Sequence, residues 1–334
     1  MSSVDPETSA THWPDSASEV PLQAVSRLIY ASLSKVDGPV LDEMRRIRDH
    51  AVVHNQAAGL RVALLHMSGW FVEWIEGPEV GIRALLDRVA QDRRHQGLQV
   101  VHHSSGRPRL FRPWIGSIVQ SDEGPTAFAR RLFALQDRQV RATALEPASV
   151  WLRLCSPAAA DMPLTDGAFP RAMLLSAQGA HAFDLLQALA THQRRPLVRR
   201  RFAGAADAVR DVESDYLDLP ALGQAGWRLV ANARKGLAMG MAHAFLPDHA
   251  AVVLLLGDDA ARNQHLVERV LSANRQVHHA PVIVGLGTHA QVTPELQELV
   301  ERQGLPWVAA RSPLQRPDAQ DLWAVLQPVL QQIG

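Results

Sequence analysis

Gly69-Trp70-Phe71-Val72-Glu73-Trp74-Ile75-Glu76-Gly77-Pro78 is the run that decides the fold of this chain. Leu60 to His66 reads as a strand before it, Met67-Ser68-Gly69 makes a tight turn, and Trp70 to Glu76 returns as the hairpin partner. Upstream, Val25 to Tyr30 has the short, β-rich character of a strand. Asp37-Gly38-Pro39 is a turn, and Leu41, Met44, Ile47, His50, Ala51 and His54 then recur at helical spacing. Downstream, Pro78 opens a second helix with Val80, Ile82, Leu85, Leu86 and Val89 as its apolar stripe. Leu98 to His103 and Trp114 to Gln120 read as two more strands. The order β-α-β-β-α-β-β is ferredoxin-like, an α+β sheet with both helices on one face.

The whole chain has 334 residues, which suits two domains, and its 47% apolar content suits buried cores. A formal net charge of zero gives no global drive toward nucleic acid or an anionic membrane. A single cysteine, Cys155, excludes an internal disulfide framework and a cysteine-built zinc site, and suits a reducing cytoplasm. Residues 1–20 are rich in Ser, Thr, Asp, Glu and Pro without an apolar core, which reads as a disordered tail and not as a signal peptide or anchor. The apolar runs 251–256 and 281–286 are too short to span a bilayer. The expectation is a soluble cytoplasmic protein.

Five segments recur in a fixed order within residues 22–122: Leu28-Ile29-Tyr30-Ala31-Ser32, His54-Asn55, the Gly69 to Pro78 run, Gln91-Asp92-Arg93-Arg94-His95, and Phe111-Arg112-Pro113-Trp114. Together they resemble a BLUF domain, the flavin-based blue-light sensor. The resemblance implies FAD as cofactor and cofactor-binding roles for Tyr30, Asn55, Glu73, Arg94, His95 and Trp114. In that family a tyrosine and a glutamine link to the flavin by hydrogen bonds, and light drives electron and proton transfer from the tyrosine while the amide rearranges. Tyr30 matches the tyrosine and is one of only two in the chain. Asn55 matches an asparagine at the ring edge, Arg94 and His95 match residues near the ring and the phosphate side, and Trp114 matches a tryptophan near the last strand.

The chain departs from that pattern at three places. Glu73 stands where the family has glutamine, Gly116 where methionine is common, and Arg61-Val62 where Thr-Gly is usual. An amide donates and accepts at once, whereas an ionised carboxylate only accepts. Burial would favour the neutral acid, which keeps a donor but does not reproduce amide rotation. Altered photochemistry is therefore expected.

Residues 125–140 form one more amphipathic helix carrying Phe128, Leu132, Phe133 and Leu135. The stretch 141–168, with a short strand at Ser149 to Leu154, reads as a junction within a 123–168 capping segment. From 169 onward, strands at 172–175, 227–231, 251–256, 281–286 and 306–309 alternate with helices at 183–191, 264–271, 293–303 and 319–331, which argues for a parallel, doubly wound α/β sheet. Leu174 to Leu186 occupies the place of a phosphate loop, whose pattern is G-x-x-x-x-G-K-[ST], yet its slots hold Ser176, His181, Ala182 and Phe183. The layout of 169–334 resembles the small P-loop GTPases of bacterial gliding motility. Thr288 and Ala290 stand where those proteins carry the lysine and aspartate that read guanine. The resemblance implies a pseudo-GTPase without bound nucleotide. Gly285-Leu286-Gly287-Thr288-His289-Ala290 also fits G-x-G-x-x-A but reads as a plain turn. Arg194, Arg195, Arg199, Arg200 and Arg201 read as a solvated basic loop, and no histidine pair has the carboxylate spacing of a metal site.

The resulting expectation is a two-domain regulatory protein, not an enzyme: a BLUF-like input at 22–122 and a pseudo-GTPase at 169–334 that acts by binding protein. The expected partners are proteins or a second copy of the chain, with no nucleic acid and no membrane insertion. The alternative is a chromophore-free assembly scaffold that uses both degenerate domains as interaction surfaces.

Overall fold

The computed structural model describes residues 24–119, 123–141, 145–157, 159, 162, 169–202, 212–223, 226–233, 244–277 and 280–334. The tail 1–20, His278-His279 and much of the junction lie outside them. The N-terminal part runs β1 (Val25–Ser34), α1 (Val40–Ala57), β2 (Arg61–Met67), β3 (Trp70–Gly77), α2 (Glu79–Gln91), β4 (His95–Gly106) and β5 (Ile115–Val119). The expected element order holds, and this part has the ferredoxin-like α+β fold. β3 pairs antiparallel with both β1 and β2, setting Tyr30 opposite Glu73 and Leu64 opposite Glu73 from the other side. β5 joins the far side of β2 in parallel.

Alternation along the strands sorts the side chains onto two faces. Leu28, Tyr30, Val62, Leu64, Phe71, Ile75 and Trp114 face α1 and α2. Ile29, Ala63, Leu65, Trp70, Val72, Trp74 and Val119 face the other way. That second face is covered by α3 (Pro125–Arg141) and α4 (Pro147–Cys155). Trp70 stacks on Phe128 with centroids 5.5 Å apart, and Trp74 meets Trp151 at 6.0 Å. Ser149 to Leu154, expected as a strand, is thus part of a helix. Pro147 suits a first helical turn, and Val150, Trp151, Leu154 and Cys155 form one buried helical stripe. Four stripe assignments also fail, since Val80 is 80% and Phe133 51% exposed and His50 and His54 are exposed as well.

The C-terminal part runs β6 (Arg171–Ser176), α5 (His181–His192), β7 (Val198–Phe202), β8 (Val212–Leu219), β9 (Trp227–Asn232), β10 (Ala251–Leu255), α6 (Ala260–Val277), β11 (Val282–Thr288), α7 (Pro294–Glu301), β12 (Trp307–Ser312) and α8 (Ala319–Ile333). β9, β6, β10, β11 and β12 are mutually parallel, with α5 and α8 over one face and α6 and α7 over the other. The doubly wound reading holds, but the sheet is mixed, because β8 is antiparallel to β9 and β7 to β8. The arginine cluster is only in part a loop, since Arg194 and Arg195 follow α5 outside any strand or helix. Arg199, Arg200 and Arg201 lie in β7, which is bonded on both sides, and Arg199 donates to Gln187 Oε1 at 2.9 Å. Pairing on both sides overrides the weak strand character of an arginine run. Gly285 and Gly287 likewise belong to β11 and not to a turn. A Cβ at 285 would sit 2.4 Å from the Trp307 ring, so glycine there makes room for that indole.

One pairing went unforeseen. β5 bonds β7 antiparallel, with Ile118 opposite Arg201 and Val119 opposite Arg200, so the twelve strands among the described residues form a single sheet. Arg109 reinforces the join. It donates to the Ala244 carbonyl at 3.0 Å and pairs with Asp248 at 2.5 Å, while Phe245 meets Trp74 edge-on at 6.0 Å. No helix among the described residues is long and apolar enough to cross a membrane.

Candidate functional site

The face of the N-terminal sheet toward α1 and α2 brings together most of the residues singled out in the sequence. Opposed in register, Tyr30 and Glu73 are both buried, and the Tyr30 hydroxyl donates a short hydrogen bond to Glu73 Oε2. Removal from water pushes the Glu73 carboxyl up to about 7, with Tyr30's bond and the Arg88 charge pulling the other way. Burial, and then the Glu73 charge, raises the Tyr30 phenol well above its ordinary value. Near neutral pH this pair therefore sits at the balance between acid and carboxylate.

At the C-terminal end of α1, Asn55 is 1% exposed and donates from Nδ2 to the Pro113 carbonyl at 2.9 Å. Its Oδ1 is buried and accepts nothing, and the indole N–H of Trp114, next to Pro113, is buried without an acceptor. The Trp114 ring lies directly over Gly116, where an added Cβ would come within 2.0 Å of Cη2. The missing side chain at 116 is thus what lets the indole lie against the sheet. Val62 is fully buried on this same face, whereas Arg61 belongs by alternation to the opposite one. Of the two departures at 61 and 62, only Val62 bears on the site.

Arg94 and His95 sit at its rim. Arg94 is held by Asp92 at 2.9 Å and by Glu43 of α1 at 2.7 Å, and its bonds hold both carboxyls below their usual range. His95 Nδ1 meets Ser32 Oγ at 2.7 Å, and its ring lies 4.7 Å from that of Phe71. Burial lowers His95 to about 4, and His66, edge-on to Phe71, also to about 4, so both imidazoles are neutral at pH 7. Phe71, His66, Ser32 and Arg88 were missed from sequence. The period-two pattern alone could have placed Phe71 and His66 on the Glu73 face.

Whether these residues fit a flavin can be judged from the chain itself. The two helices lie on the sheet and touch one another little. Ile47, Ala51 and Val52 of α1 and Leu85, Leu86 and Val89 of α2 are only partly buried, although they form the inner apolar stripes. Partly buried apolar stripes of α1 and α2 above a phenol and a carboxyl, with two unsatisfied polar atoms (Asn55 Oδ1 and Trp114 Nε1), fit a flat ring with a polar edge.

In the C-terminal part, the place of the phosphate loop is a turn between β6 and α5. Ser176 Oγ accepts from Ala182 N at 2.8 Å and so takes an amide that a phosphate would need. The crevice at the carboxyl ends of β6, β10 and β11, about 290 Å³, is lined by Asp184, Asp258 and Asp318 against Arg316. Gln178 and Gln291 lie over Gly257 and Gly287, where a Cβ would approach each amide to 2.7 Å.

Residues 25–116 match the family described as BLUF, sensors of blue-light using FAD. Solved structures similar to this chain include a bacterial light-regulated adenylyl cyclase (18% identity, TM-score 0.29, covering 39% of this chain and 40% of that one). The BLUF protein BlrB in its dark state is 21% identical, with a TM-score of 0.26, over 35% of this chain and 84% of its own. Klebsiella pneumoniae BlrP1 in a calcium and cy-diGMP complex is 13% identical, with a TM-score of 0.28, over 91% of this chain and 79% of its own. A search of the curated proteins finds no match. Residues 25–116 thus match the BLUF family in sequence, and they have the ferredoxin-like α+β fold. The resemblance of 169–334 to GTPases gains no support from these comparisons. The expectation that the chain is not an enzyme is corrected: a cyclase stands among the matches, and a cy-diGMP complex is matched along nearly the whole chain. No activity of this chain follows from them.

Proposed function

We propose that this chain is a sensory signalling protein whose first unit, residues 22–122, holds FAD between α1, α2 and the sheet. The observation that carries the reading is the buried Tyr30–Glu73 hydrogen bond, beside Asn55 and Trp114 with their unused polar atoms. Tyr30, Glu73, Asn55 and Trp114 would hold the ring, with Arg94 and His95 at the rim. Bound flavin would supply a light-absorbing electron acceptor. Glu73 Oε2 already accepts from the Tyr30 hydroxyl, so it is placed to take the phenolic proton when that phenol is oxidised. Where an amide switches by turning over, a carboxyl switches by gaining or losing a proton, and its value of about 7 makes both forms accessible. The state of β3 would reach residues 169–334 through Trp74 against Trp151 and Phe245, and through Arg109 on Asp248. A protein partner downstream belongs to the same proposal.

The test is the absorbance of protein expressed with excess flavin, before and after blue light. We expect bound flavin, a light response in the wild type that depends on pH around 7, and in Glu73→Gln a reversible red shift that Tyr30→Phe abolishes. Protein that never retains flavin would refute the reading. It would favour a chromophore-free scaffold instead, to which the burial of Tyr30 and Val62 by the chain itself lends support.

A further inference from the structure

A pocket lies on the face of the N-terminal sheet away from Tyr30 and Glu73, where the two halves of the chain meet. Its volume is about 60 Å³, with β2 and β5 on one side, β6, β8 and β9 on the other, and α4 and the segment 244–249 above. Room of that size takes roughly four to six water-sized groups, which is about one substituted ring. Most of the lining is apolar: Leu65, Trp151, Leu152, Met173, Val230 and Phe245. The pocket is partly open to solvent, so a ligand has a way in. Concave, largely apolar spaces between packed units, with a few polar groups among their walls, are where small molecules bind.

The polar groups decide which kind of molecule. No carboxylate is among the described lining residues, and both guanidiniums are engaged within the chain. Arg228 donates to Asp218 at 2.7 and 2.9 Å and to the Ser156 carbonyl at 2.8 Å, and Arg171 has an interaction of its own. Nothing in the walls therefore calls for a charged ligand. What remains both gives and takes hydrogen bonds. The buried Trp151 indole N–H has no acceptor. His249 Nδ1 lies 2.8 Å from the Phe245 carbonyl, so in the neutral ring that nitrogen carries the proton and Nε2 is an acceptor. Ser117 of β5, Ser214 of β8 and Asn232 of β9 are buried as well, and their side chains make no hydrogen bond to a described residue. A hydroxyl is the smallest group that answers a donor and an acceptor at once.

We propose that this pocket binds one small neutral molecule, a single ring carrying one hydroxyl, seated between the two halves of the chain. The ring packs against Trp151, Phe245, Met173 and Leu65, and the hydroxyl meets the polar groups among them. Because β5 belongs to the N-terminal part and β6, β8 and β9 to the C-terminal part, the occupant touches both halves and ties them together. The inference does not rest on flavin binding, because these residues face away from Tyr30 and Glu73.

The experiment titrates full-length protein with phenol, toluene or benzoate at constant pH and ionic strength, following thermal unfolding and calorimetric heat. Phenol should raise the midpoint along a saturating curve, as mass action requires, with one-to-one heat. Toluene, which lacks the hydroxyl, should bind more weakly, and benzoate should not saturate. Ser117→Leu and Ser214→Leu fill the pocket from its two sides, and either one that folds by circular dichroism should weaken phenol about tenfold or more. Trp151→Phe keeps a ring but removes the indole N–H, so it should weaken phenol about fivefold and leave toluene unchanged. Absence of any saturable heat with phenol would mean a pocket filled by water alone and would overturn the proposal. So would benzoate or toluene binding as tightly as phenol, or phenol affinity that survives Trp151→Phe together with a folded filling variant.

Discussion

Replacing Glu73 by glutamine should change how stability depends on pH, in a direction that the buried carboxyl dictates. In the folded chain Glu73 titrates at about 7, against 4.5 for an open chain. Between those values the folded state keeps a proton that the unfolded state has lost, so stability falls as pH rises through the window. Below 4.5 both states are protonated and the cost vanishes; above 7 it is complete. At about 1.4 kcal/mol for each pH unit, the window amounts to roughly 3 kcal/mol. Glu76, also raised by burial, tilts stability the same way. His66 and His95 tilt it oppositely, since imidazoles lowered from 6.5 to about 4 make stability rise with pH between those values. These slopes are common to both proteins, so the difference between Glu73→Gln and wild type isolates the one carboxyl. Urea unfolding at pH 4.5, 6, 7 and 8 is the assay. The variant should match the wild type at the acid end and exceed it by about 3 kcal/mol at pH 8. A difference that does not vary with pH would refute the reasoning, because it would mean that Glu73 is ionised throughout or solvated in the folded state.

Other perturbations follow from the same geometry. Gly116→Ala places a Cβ in the Trp114 ring and should cost about 1–3 kcal/mol, with a red-shifted tryptophan emission as the check; an unchanged spectrum and midpoint would contradict the packing. Asn55→Ala loses the bond to the Pro113 carbonyl and should cost about 1 kcal/mol of stability, with a weaker hold on flavin measured by retention on gel filtration. Asp218→Ala strands the buried Arg228 guanidinium, and urea unfolding should show a loss of about 3–5 kcal/mol. Calorimetry with GTP and ATP should show no tight binding, since Ala182 stands in the lysine slot, the Ser176 hydroxyl already caps the Ala182 amide, and three carboxylates face the crevice.

The N-terminal fold was legible because its signals are local. The Met67-Ser68-Gly69 turn sets the hairpin register of β2 on β3, whereas Tyr30 comes opposite Glu73 through the separate pairing of β1 with β3. Glu73's burial was open to inference from the alternation of Phe71, Glu73 and Ile75. What stayed hidden depends on contacts between distant segments. β7 has an arginine run that no periodicity marks as a strand, and it is ordered by neighbours on both sides. Ser149 to Leu154 is rich enough in β-branched and large residues to suggest a strand, yet Pro147 and the spacing of Trp151 and Cys155 carry the helix. The role of Gly116 was invisible for another reason: a glycine gives no sign of which side chain will fill the space it leaves.

The bond between β5 and β7 has a consequence for how the N-terminal domain can be used. A chain cut after Val119 would leave the outer side of β5 as a bare edge, with amides and carbonyls that β7 now occupies. Such a fragment would carry its own adhesive strip and would pair with whatever strand it met, a second copy of itself included. The ferredoxin-like fold here is therefore not a detachable cartridge. Grafting it onto another output would require carrying β7 along, or capping β5 with a substitute strand.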